Sequence, residues 1–132
     1  MGFGCILIVE DEFLIADHLA AMVDDMGLTV CGIADTADGA VAMALEHRPG
    51  AVLMDVRLKG RKDGIDAAQR IHGSVGCPVI FVTASREQAT VARINEDHPA
   101  AILFKPVKFE QLETVVRAVL GGGGPDLAPL TL

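Results

Sequence analysis

Five short apolar runs punctuate the chain: Cys5 to Val9, Thr29 to Ala34, Ala51 to Met54, Val79 to Val82 and Ala101 to Phe104. Almost no polar residue interrupts them. A strand with one face in water alternates apolar and polar side chains, whereas an unbroken run is covered on both faces, which is the habit of parallel sheets flanked by helices. Parallel neighbours need a crossover of a dozen residues or more, and the segments between these runs have that length. The pattern predicts five βα units joined by right-handed crossovers, an α/β, doubly wound domain with a five-stranded parallel sheet.

The intervening segments carry helical patterning. Phe13 to Met26 sets Ile15, Leu19, Met22, Val23 and Met26 on one face at three- and four-residue steps, and Gly27 stands where a C-terminal cap belongs. Phe109, Leu112, Val115, Val116, Val119 and Leu120 repeat the stripe, which the glycine run from Gly121 ends. Asp38 to Glu46, Gly64 to His72 and Glu87 to Asn95 have shorter, alanine-rich faces and complete the five helices. The expected domain spans residues 4–120. Residues 121–132, with four glycines among the first four positions and two prolines after them, read as a flexible tail or the start of a linker. No output domain follows Leu120, so either a single-domain protein or a piece cut at its linker is expected.

Charge and composition narrow the function. Eleven Lys and Arg against 18 Asp and Glu give a net charge of −7, which opposes direct binding to nucleic acid or an anionic membrane. No apolar run is long enough to cross a bilayer, and the N-terminus lacks the basic start of a secretion signal, so a cytoplasmic protein is expected. Cys5, Cys31 and Cys77 have no CxxC or Cys/His spacing and read as reduced core thiols; His18, His47, His72 and His98 are scattered without ligand spacing.

In open parallel sheets the functional crevice lies beyond the carboxyl ends of the strands. Here those ends carry Glu10-Asp11-Glu12, Asp55, Thr83 and Lys105-Pro106, while Asp35 after the second run is accounted for as a helix cap. Carboxylates gathered at one edge repel one another unless a cation neutralises them. Oxygen ligands without thiol or imidazole suit a hard cation, Mg²⁺. Lys105 adds a compact positive charge and Thr83 a hydroxyl, an arrangement that fits a phosphoryl group beside a carboxylate nucleophile.

From about Cys5 to Leu120 the chain resembles the receiver domains of two-component response regulators. The resemblance rests on Ile6-Leu7-Ile8-Val9-Glu10-Asp11-Glu12, Val52-Leu53-Met54-Asp55, Val82-Thr83-Ala84 and Phe104-Lys105-Pro106, each short but together in the right order and spacing. It implies a flavodoxin-like (βα)5 fold with strand order 2-1-3-4-5. It implies Asp55 as phosphoacceptor, and Mg²⁺ held by Asp11, Asp55 and the main-chain carbonyl of Arg57, with Glu10 acting through a water. Thr83 resembles the hydroxyl that moves onto the phosphoryl group, Lys105 its charge partner, and Pro106 the family's cis proline. The implied donor is a phosphohistidine on a sensor histidine kinase or phosphotransfer protein, and Asp55 phosphorylates and dephosphorylates itself, with no other enzymatic activity. The implied output is a shift of the surface around the fourth helix, fifth strand and fifth helix, a region also open to homodimer contact.

Three departures from that family stand out. Val56-Arg57-Leu58-Lys59-Gly60-Arg61-Lys62-Asp63-Gly64 has Lys59 in place of the common proline and is one residue longer, with four basic side chains read as solvated. Ile102 stands where many receivers carry an aromatic switch, so output is expected to run through backbone shifts near the fourth helix. Glu10 replaces the commoner Asp, and Arg57 is expected to alter the lifetime of phospho-Asp55. A Mg²⁺-dependent phosphatase of the haloacid dehalogenase kind would need an acid two residues past Asp55, where Arg57 stands. A flavodoxin-like cofactor carrier is poorly served by so acidic an edge without Trp or Tyr. The alternative kept is a degenerate receiver that binds partners without phosphorylation.

Overall fold

In the computed structural model, which describes residues 4–121 and 130–131, strands and helices alternate as the apolar runs predict. The elements are β1 (Ile6–Val9), α1 (Phe13–Asp25), β2 (Val30–Ala34), α2 (Ala37–His47), β3 (Ala51–Met54), α3 (Gly64–Ser74), β4 (Val79–Thr83), α4 (Gln88–Glu96), β5 (Ala101–Phe104) and α5 (Phe109–Leu120). The five strands are parallel in the order β2-β1-β3-β4-β5. A two-residue strand, β6 (Leu130–Thr131), lies parallel to β5 through Ala101 and Ile102. The expected tail over 121–132 otherwise lies outside the described residues, Gly121 apart. Among the described residues no helix is long and apolar enough to cross a membrane.

Because side chains alternate along a strand, the sheet divides the interior in two. Leu7, Val9, Val52, Met54, Phe81 and Ile102 point to one side, where Ala40, Val41 and Ala44 of α2, Ile65 and Ile71 of α3 and Ile94 of α4 cover them. Ile6, Ile8, Leu53, Ile80, Val82 and Leu103 point to the other, packed by Ala16, Leu19 and Val23 of α1 and Leu112, Val115 and Val116 of α5. Both faces are closed, which explains why these strands show no polar alternation. The exception is β2, an edge strand with only Ala34 fully buried and Ile33 exposed, so the expectation of burial on both faces fails there.

Local chemistry explains the helix ends. Gly27 takes a φ of +80° after α1, and its N–H donates to the Asp24 carbonyl, a left-handed close that favours glycine. At α2 the cap is Thr36, whose hydroxyl accepts from Gly39 N–H at 3.0 Å, and not Asp35 as expected. Asp35 instead holds the loop after β3: its carboxylate pairs with Lys59 Nζ at 3.1 Å and its carbonyl accepts from Lys59 N–H at 3.0 Å. Helix α3 opens with a reciprocal box in which Asp63 accepts from Asp66 N–H at 3.0 Å and Asp66 from Asp63 N–H at 2.9 Å. Arg93 of α4 adds an ion pair to Asp63 at 3.0 Å.

The cysteines also differ from expectation. Cys5 and Cys31 are joined as a disulfide with Cα atoms 5.2 Å apart, where reduced thiols were expected. Their separation of 26 residues carries no local signal; the pairing of β1 with β2 brings them together. Cys77 is free and half-buried, and burial pushes its thiol pKa up.

One glycine is required by packing. A Cβ on Gly64 would lie 1.8 Å from the main-chain oxygen of Asp55, and its N–H donates to the Val56 carbonyl at 2.7 Å. The first residue of α3 therefore rests on the peptide following β3. Gly64→Ala is expected to cost ~2 kcal/mol or more by denaturant titration, because the obstacle is backbone that cannot rotate away. An unchanged midpoint would refute that contact.

Asp63 supplies a pH-dependent test. Burial would raise its carboxyl, but hydrogen bonds from Asp66 N–H and Arg93 outweigh this and leave the pKa below the usual aspartate range. A depressed folded-state value adds stability that is complete above the unfolded pKa and lost as pH falls through the folded one. Asp63→Ala is expected to cost about 1 kcal/mol at neutral pH, with the gap to the parent closing below about pH 4. A gap that persists in acid would assign the loss to something other than the carboxylate.

Candidate functional site

Beyond the strands, the backbone ladder continues for one more residue and sets where the polar side chains emerge. Glu10 N–H donates to Ala34, Asp55 N–H to Val9 and Lys105 N–H to Thr83, each at 2.9 Å. The residues following β1, β3 and β5 thus sit on one edge with the end of β4. Glu10, Asp55 and Thr83 are the buried polar residues among those described, at 2%, 7% and 2% exposure. Asp55 and Thr83 line a cleft of about 630 Å³ whose walls also include Asp11, Arg57, Arg86 and Lys105.

Lys105 ties the acidic groups together. Its Nζ lies 2.6 Å from Glu10 Oε1 and 3.3 Å from Asp55 Oδ2. Glu10 Oε2 accepts from Glu12 N–H at 3.1 Å, so both oxygens of Glu10 are engaged. Asp55 Oδ1 accepts from Val56 N–H at 2.9 Å, which orients its carboxylate. Burial raises the Glu10 carboxyl pKa above its usual value despite the bond to Lys105. Burial by itself would lower the Lys105 ammonium, but the bond to Glu10 and the charge of Asp55 prevail and hold it above the usual lysine value.

The donor set fits a divalent cation. One oxygen each from Glu10, Asp11 and Asp55 lies within 4.8 Å of the others. Three carboxylates against one ammonium leave two negative charges, and all available ligand atoms are oxygens, the preference of Mg²⁺. Asp11, half-buried, is the carboxylate of the three that Lys105 does not touch.

All the residues singled out from sequence meet here: Glu10, Asp11, Asp55, Thr83 and Lys105, with Arg57 on the cleft wall and its side chain exposed. The Lys105-Pro106 peptide is cis, as the resemblance implies. Sequence reasoning missed three participants. Gly64 packs on Asp55, and the Asp63-Gly64 pair closing the loop was its only signal. Ser85 donates its N–H to Thr83 Oγ1 at 3.1 Å, and Arg86 lies over the ring of Phe104 at 4.4 Å; neither belongs to a local motif.

Residues 6–117 match the family described as the response regulator receiver domain. The chain is 38% identical over 116 residues to the phyllosphere-induced regulator PhyR of Methylorubrum extorquens, covering 87% of this chain and 43% of that protein. It is 37% identical over 107 residues to the transcriptional regulatory protein PdtaR of Mycobacterium tuberculosis, covering 81% and 52%. The chain thus spans about half the length of the curated relatives it matches. The solution structure of the Erythrobacter litoralis PhyR receiver domain superposes with a TM-score of 0.82 at 32% identity, covering 97% of this chain and 98% of that one. With a family match that runs from the first strand into the last helix, the chain belongs to the response regulator receiver domains of two-component signalling.

Proposed function

We propose that Asp55 accepts a phosphoryl group from the phosphohistidine of a sensor histidine kinase or phosphotransfer protein, and that the modified domain signals through protein contact. The observation that carries this reading is Asp55 Oδ2 held 3.3 Å from Lys105 Nζ, at the rim of an open cleft and within reach of the Glu10 and Asp11 carboxylates. In the step proposed, an Asp55 oxygen attacks phosphorus in line. The P–N bond to the donor imidazole breaks, its electron pair returns to nitrogen, and an acyl phosphate is left. Mg²⁺, held by Asp11, Asp55 and the Arg57 carbonyl with Glu10 acting through a water, would supply positive charge against the transferring oxygens. Val56 N–H orients the nucleophile, Lys105 offsets developing charge, and Thr83 offers its hydroxyl to the phosphoryl group.

Such a donor is phosphorylated from ATP, so the reading places the protein in the cytoplasm. The output surface proposed is α4, β5 and α5, by contact with a partner or a second copy. A phosphorylation-independent interaction module remains the second reading, favoured by the enclosure of Ile102, which is 0% exposed where an aromatic switch would need room.

Incubation with acetyl phosphate and Mg²⁺ is expected to add one phosphoryl group to the parent by intact mass, and none to Asp55→Ala or in excess EDTA. Labelling that survives Asp55→Ala would defeat the assignment of the acceptor; no labelling of the parent would favour the second reading. Arg57 projects a cation at the cleft wall, so Arg57→Ala is expected to speed loss of the phosphoryl group about 3-fold or more. An unchanged decay rate would remove Arg57 from the site's chemistry.

A further inference from the structure

Among the described residues, Arg86 is a cation beside the site with no carboxylate in ion-pair contact. It stands three residues past Thr83 and lines the cleft that contains Asp55 and Lys105. Its guanidinium instead covers the ring of Phe104, with Cζ 4.4 Å from the centroid. Phe104 ends β5, immediately before Lys105, and is half-buried against the core on the α4 side. Ile102 points to the same side but is fully enclosed, so Phe104 is the side chain of this strand end with freedom to change its exposure.

The segment carrying Arg86 is strung to both the site and α4. Ser85 N–H donates to Thr83 Oγ1 at 3.1 Å, and Glu87 N–H donates to Ser85 Oγ at 3.3 Å, Glu87 being the residue that precedes α4. A displacement of the Thr83 hydroxyl or of Arg86 is therefore felt at the start of that helix.

We infer that Arg86 is the phosphoryl sensor of this chain: it leaves the Phe104 ring for the phosphoryl group on Asp55, uncovering the ring and drawing the β4–α4 segment inward. The inference rests on the reading of Asp55 as phosphoacceptor. A phosphoryl group brings a charge of about −1.5 to −2 and three strong acceptor oxygens. Lys105 is already divided between Glu10 and Asp55, so beyond it, Mg²⁺ and the Thr83 hydroxyl the group has room for a further donor. A guanidinium offers paired N–H groups matched to phosphate oxygens, whereas an exposed cation over an aromatic face is held weakly. Arg86 is exposed, so the exchange repacks no core. The apolar face it vacates becomes the phosphorylation-dependent surface.

The chain has no Trp or Tyr, so Phe104→Trp creates a single fluorophore at the ring in question. On treatment with acetyl phosphate and Mg²⁺, with labelling followed by intact mass, its emission is expected to shift in step with phosphorylation. The shift is expected to vanish in the Arg86→Ala background and to return in part with Arg86→Lys. Should Phe104→Trp fold poorly, ring-labelled phenylalanine reports the same event by NMR in the unsubstituted chain, where five rings are observed and Phe104→Leu assigns the one of interest. Complete labelling with the ring signal unmoved, or a shift that persists in Arg86→Ala, would overturn the sensor role while leaving the acceptor intact. Absence of labelling would overturn both, and mass reports that separately.

Discussion

The bridge from Lys105 to Glu10 and Asp55 is the interaction on which the functional edge depends. It joins groups 95 residues apart in the chain and spans the ends of β1, β3 and β5. Charges taken out of water cost several kcal/mol each unless they are paired and hydrogen-bonded. Here each carboxylate has a main-chain N–H as well as the ammonium, Glu12 for Glu10 and Val56 for Asp55. No buried side-chain nitrogen or oxygen among the described residues lacks a hydrogen-bond partner. The cluster is tolerated because it is satisfied, and it stays negative overall because one ammonium faces three carboxylates.

The sheet makes that cluster possible. Parallel pairing carries the ladder one residue past each apolar run, so the first polar residue after a run is delivered to the common edge. The same reason makes this part of the molecule readable from sequence. Asp55, Thr83 and Lys105 follow runs whose lack of alternation already marks them as strands covered on both faces, and helices α2, α3 and α4 fall within two residues of their expected limits.

What could not be read are contacts between segments with no local signature. Cys5 and Cys31 meet only because β1 lies beside β2, and β2 is open only because it is an edge. Asp35 stands one residue before the true cap, and only the course of the β3–α3 loop shows that its partner is Lys59. Gly64 looks like a turn residue until α3 is seen to rest on the Asp55 peptide. Arg86 follows β4 and Phe104 ends β5, and the two have no reason to be associated before those strands are paired.

The unusual loop after β3 has its ends tied together, Gly64 N–H to the Val56 carbonyl at 2.7 Å, while Lys59 is fastened to Asp35 midway. Residues between those ties can vary in number and charge without transmitting strain to the acceptor, since lengthening a closed surface loop costs little. Descendants of such a gene could therefore accumulate insertions here and acquire new binding partners while the chemistry next door stayed as it was.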